Sequence, residues 1–94
     1  MTASCYITFP TTFFAIRAES ILKEKGSSFR MVPVPRSISS SCGTALMCAC
    51  DDLSTIGKTL IENGLEIEGF YELEESGLKK PVAKELSIDD LESI

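Results

Sequence analysis

The chain has 94 residues, 44% of them hydrophobic, and nine basic against fourteen acidic residues give a net charge of −5. That length allows one domain with one modest core, and the composition is that of a globular chain rather than a disordered one. The acidic balance lacks the basic footprint that nucleic-acid binding needs and disfavours anionic membrane surfaces, so neither nucleic acid nor membrane is an expected partner.

The first expected element is a strand, Cys5 to Phe9, with Cys5, Ile7 and Phe9 on one face and Tyr6 and Thr8 on the other. Pro10 ends it. Thr11 or Thr12 can cap a helix that runs to about Lys25, burying Phe14, Ala18, Ile21 and Leu22, and Gly26 stops it. Phe29 to Val34 reads as a second strand. Pro33 inside it cannot donate to a ladder, which predicts a place at a sheet edge. A polar loop follows. Thr44 to Cys50 is a third strand, apolar on both faces and therefore expected to be central. Asp51 or Asp52 caps a second helix with Leu53, Ile56, Leu60 and Ile61 as its buried stripe, Gly57 for close approach to the sheet, and Asn63-Gly64 as its end. In the fourth strand, Ile67 to Leu73, the residues Ile67, Tyr71 and Leu73 alternate with Glu68, Phe70 and Glu72.

The order β-α-β-β-α-β predicts an α+β fold of the ferredoxin-like kind, a four-stranded antiparallel sheet with two helices on one face. The other sheet face would expose Tyr6, Thr8, Phe70 and, depending on register, Met47. That surface predicts a homodimer or a larger assembly through Tyr6 and Phe70. Residues 4–73 form the expected domain. Residues 74–94 read as an acidic tail with a linker and a short helix started at Ser87.

The loop Pro33-Val34-Pro35-Arg36-Ser37-Ile38-Ser39-Ser40-Ser41-Cys42-Gly43 carries the most chemistry. Cys42 lies among serines, beside a glycine and six residues after an arginine. Ser40, Ser41 and the backbone N–H groups around Gly43 can hold a thiolate, and the Arg36 charge favours one. With no histidine in the chain, a Cys–His catalytic pair is excluded. Arg36 and the serines could also hold an anion, but the glycine spacing of a phosphate loop is missing. The plain alternative is a serine-rich turn that happens to contain a cysteine.

Cys5, Cys48 and Cys50 read as small buried hydrophobes on the helix-covered face. A Cys48–Cys50 bridge would be too long, and no C-x-x-C pair occurs. A thiolate metal site of these three is the lesser reading, so no metal and no cofactor is expected. No run approaches the roughly 20 apolar residues that span a bilayer. Met1 to Ile16 lacks the positive start of a signal peptide. The expectation is therefore a cytoplasmic protein with four reduced thiols.

Several segments together resemble a known family. They are Tyr6-Ile7-Thr8-Phe9-Pro10-Thr11-Thr12, Ala15 to Glu19, Pro33-Val34-Pro35-Arg36 followed by Ser40-Ser41-Cys42-Gly43, and Gly69 to Leu73. They look like the small selenium/sulfur carrier-like family, first catalogued as a domain of unknown function. The resemblance covers roughly residues 4 to 73, and its most specific part is the proline-arginine segment joined to Ser-Ser-Cys-Gly. It implies a cysteine that carries sulfur or selenium as a persulfide or selenenylsulfide, a role that falls on Cys42. It also implies protein donors and acceptors, and a carrier rather than a true catalyst. The competing function is a non-enzymatic dimerising or regulatory module in which Cys42 is incidental.

Overall fold

Extended residues with alternating faces make the first strand, β1 (Thr2–Thr8), three residues longer at its start than the alternation predicts. Phe9 follows it into the core, fully buried. The structure is a computed structural model that describes residues 2–35, 38, 42–75 and 82–86. Helix α1 (Thr12–Lys25) begins after Thr11, which sits at the N-cap position without a side-chain capping bond. Gly26 ends it with φ 70°, a left-handed turn that glycine adopts without a Cβ penalty, and its N–H turns back to the Leu22 and Lys23 carbonyls. The buried stripe is Ala15, Ala18 and Leu22. Phe14 and Ile21, expected in it, are half-buried at its margin, while Phe13 and Ile16 face out.

Strands β2 (Arg30–Pro33) and β3 (Thr44–Ala49) form a hairpin across the polar loop. Cys50 is not part of β3; it opens a 3-10 turn, Cys50–Asp52, that leads into α2 (Leu53–Glu62). Leu53, Ile56, Gly57 and Leu60 are buried along α2, whereas Ile61, expected among them, is exposed. Gly57 matters for packing. A Cβ there would come within 2.9 Å of Phe70 Cε1, so the glycine lets the helix rest on that ring. The chain returns through β4 (Gly69–Glu75) and β5 (Val82–Leu86).

The fold is α+β, with two helices and an antiparallel sheet in the order β2-β3-β1-β4-β5. As the proline predicts, β2 lies at an edge, and β3 lies inside the sheet. The fifth strand is a correction, because Val82–Leu86 was read as tail and instead extends the sheet beyond β4. The terminal helix expected from Ser87 lies outside the described residues.

Both helices pack on one sheet face. Cys5, Ile7, Leu46, Cys48 and Phe70 meet Ala15, Ala18, Leu22, Leu53, Ile56 and Leu60 in one core cluster. Each large aliphatic side chain buried there contributes about 1.5–3 kcal/mol. The opposite face corrects the expected dimer surface. Phe70 is not on it; Phe70 pairs with Ile7 and is buried under α2. Tyr6 does face that way, but it is buried in a second cluster with Ala45, Leu73 and Ile38. Ile38 comes from the polar loop and is 4% exposed. The loop therefore lays its one large apolar residue over the face that was expected to be bare. The apolar argument for a dimer through Tyr6 and Phe70 loses both rings.

Candidate functional site

The hairpin places Cys42 at the mouth of the loop, two residues before β3. Pro33 pairs with Thr44, and the Val34 N–H donates to the Gly43 carbonyl at 3.1 Å, closing the loop at its base. Gly43 has φ 75°, and a Cβ built there would meet nothing within 4 Å. Backbone conformation rather than space thus calls for glycine. Turned back by this residue, the Cys42 thiol donates to the Thr44 carbonyl at 3.0 Å, and the Thr44 N–H donates to Cys42 Sγ at 3.3 Å. The N–H is a donor that an anionic sulfur can use, and the carbonyl serves the protonated form. Cys42 is half-exposed, with its inner side against the helix-covered core. Arg36, Ser40 and Ser41, the other residues expected at the site, lie outside the described residues.

The remaining thiols differ from it. Cys5 and Cys50 form a disulfide, with Cα atoms 5.0 Å apart. This overturns the expectation of four reduced cysteines. The strand pattern had set Cys50 in line with Cys48; the 3-10 turn instead swings it to Cys5. Cys48 is free but buried at 6% exposure, opposite Cys5 on the neighbouring strand. Its pKa is pushed up from 9.0 to about 11, first by loss of hydration and then by the negative charge of Asp52. Of the four cysteines, only Cys42 is both outside the disulfide and half-exposed.

The sites are also separate. Cys48 lies four residue steps beyond Thr44 along β3, a span of roughly 13 Å at strand rise. Cys42 therefore stands at one end of β3 and the other three cysteines at the opposite end.

The Cys48 shift sets an alkaline dependence of stability. A pKa raised in the folded state means that the fold favours the protonated thiol. Its contribution is complete below pH 9, the ordinary value, and is lost as pH rises through about 11. Thermal melts across that window should fall more steeply for the wild type than for Cys48→Ala. Parallel curves would remove Cys48 as a cause.

With this geometry in place, comparison with family models matches residues 4–72 to the family described as "Putative Se/S carrier protein-like". The chain belongs to that family. The match spans all of the first four strands except the ends of β1 and β4, both helices and the Cys42 loop. No curated protein matches the chain, and no solved structure does. Among the described residues no helix is long and apolar enough to cross a membrane.

Proposed function

We propose that this protein carries sulfur or selenium on Cys42, accepting it from one protein and yielding it to another. The observation that carries this reading is the contrast among the cysteines: one half-exposed thiol outside any disulfide at a loop mouth, against a disulfide and a buried thiol. The Cys42 thiolate attacks the outer sulfur of a donor persulfide. A new S–S bond forms to Cys42, the donor thiolate leaves, and no net oxidation occurs. Transfer onward repeats the step with an acceptor thiolate. The Thr44 N–H offers a hydrogen bond to the attacking sulfur. Arg36, Ser40 and Ser41, from the same loop, are proposed to add charge and hydroxyl donors around it.

Distance within the sheet supports transfer between proteins rather than within the chain. With roughly 13 Å between the two ends of β3, neither Cys48 nor the Cys5–Cys50 pair reaches a persulfide on Cys42. We read the first four strands with their two helices as a ferredoxin-like frame with one strand added, and residues 4–73 as the carrier domain. The compartment we propose is the cytoplasm, where protein disulfides are commonly transient.

The test is intact mass after incubation with a sulfane-sulfur donor. Wild type should gain a reducible increment of about 32 Da per sulfur, the atomic mass that persulfide chemistry adds. Cys42→Ser should gain none. An increment that survives this substitution would place the chemistry elsewhere. No increment in the wild type would leave the carrier reading without its central step.

A further inference from the structure

At the end of β3 away from Cys42, three potential ligands converge. Cys5 of β1 and Glu72 of β4 are directly paired residues, so their side chains share the helix-covered face. Cys50 arrives from the turn after β3 and bonds to Cys5. The two sulfurs and a Glu72 carboxylate oxygen all lie within 4.8 Å of one another. Cys5 is buried and the other two residues are half-buried, which leaves the cluster sheltered yet reachable.

We propose that this cluster is a redox-gated metal site, which binds zinc when the Cys5–Cys50 bond is reduced. The proposal does not rest on the carrier reading, and Cys42 is not among its ligands. In a tetrahedral site with metal–sulfur bonds of about 2.3 Å, the donor atoms sit about 3.8 Å apart. Three donors already within 4.8 Å need only a small rearrangement once the sulfurs separate. Two thiolates select against magnesium and calcium, which take oxygen ligands, and suit zinc. The carboxylate itself points the same way. Glu72 turns a charged group to the face that the helices cover and is half-buried there. A cation in contact with it would compensate that burial. Asp51 and Asp52, next to Cys50 in the chain, add to a negative field that draws a cation in.

The steps balance. A dithiol or phosphine reductant supplies two electrons and is itself oxidised, to a disulfide or a phosphine oxide. The S–S bond breaks, and the two thiols take their protons from the dithiol or, with the phosphine, from the water that gives its oxygen to phosphorus. The cation then displaces those two protons, forming two metal–sulfur bonds and one bond to the ionised carboxylate. Water takes the remaining position.

Cobalt(II) is the probe, because thiolate ligation gives it an intense charge-transfer absorption. Full-length protein is reduced with a phosphine, freed of excess reductant without air and titrated with cobalt, then with zinc. The reduced protein should take up a single equivalent with that absorption, and zinc should displace it. Untreated, disulfide-bonded protein should take up none. Glu72→Gln should weaken binding at least about tenfold, and Cys50→Ser should abolish the charge-transfer band. Both positions are half-buried, and circular dichroism confirms that each variant is folded before it is titrated. The proposal is overturned if reduced wild type takes up no cobalt. Equal affinity in folded Glu72→Gln or Cys50→Ser overturns it too.

Discussion

Folded protein given a limiting amount of iodoacetamide near neutral pH should be labelled at Cys42 first, with Cys48 slower by far more than tenfold. Intrinsic thiol chemistry cannot produce such a gap. At about 11, the Cys48 pKa lies two units above the ordinary value, so its thiolate fraction is about a hundredfold lower than that of an ordinary thiol. A more basic thiolate is also a better nucleophile, with a Brønsted slope of about 0.4–0.5, and this returns nearly a factor of ten. The chemical penalty on Cys48 is thus only about tenfold. Access supplies the rest, since at 6% exposure the sulfur meets reagent only when the strand end opens. Cys5 and Cys50 should take no label until the disulfide is reduced. Peptide mapping after graded alkylation reads the order directly. Cys48 labelled as fast as Cys42 in the native state would mean that the site assignment has the wrong residue. Denaturant should erase most of the difference, because it removes burial and leaves only intrinsic thiol chemistry.

The elements most legible in the sequence were those whose pattern reflects one physical cause. Pro33 has no N–H to give, so an edge strand was predictable, and β2 is at an edge. Thr44 to Ala49 is apolar on both faces because β3 is covered on both, by helices on one side and by the Ile38 loop on the other. The glycine at position 57 announced close packing, and the Phe70 ring fills that space. The same contact shows where the reading failed. Glu68, Phe70 and Glu72 looked like a solvent-facing row because two of the three are acidic. In fact the Gly57 gap admits Phe70 to the helix side, and Glu72 follows it by strand alternation. Ile38 was hidden for a different reason: one apolar residue in a serine-rich loop has no periodicity to mark its destination. Strand β5 follows a charged, proline-containing segment and gains its place from pairing with β4, which a local pattern does not record. At the site, Cys42 was visible from its neighbours in the chain. The Cys5–Cys50 bond was not, because it depends on the strand ending at Ala49 and on the 3-10 turn that follows.

Reduction of the Cys5–Cys50 disulfide should lower the thermal midpoint by roughly 15–30 °C. The bond joins residues 45 apart in sequence. In the chain-entropy account, a loop of that size restricts the unfolded ensemble by about 4 kcal/mol. A domain of this length shifts its midpoint by about 4–8 °C per kcal/mol. Against a total stability of about 5–15 kcal/mol, that is a large share, and a 94-residue chain has only a modest core to replace it. The site of the bond reinforces the effect. It ties the turn before α2 to β1, and it lies at the end of the sheet where β3 gives way to that turn. Calorimetry with and without a phosphine reductant measures the difference, and Cys50→Ser should reproduce it without reductant. A shift of only a few degrees in both would mean that the helices and sheet hold this end unaided. The same melts bear on the metal site. Zinc bound by Cys5, Cys50 and Glu72 closes the same loop and ties it to β4 as well, so it should raise the midpoint of reduced wild type. It should leave the disulfide-bonded protein unchanged, because there the sulfurs are already spent on each other. Stabilisation of both forms alike would point to zinc held elsewhere on this acidic chain.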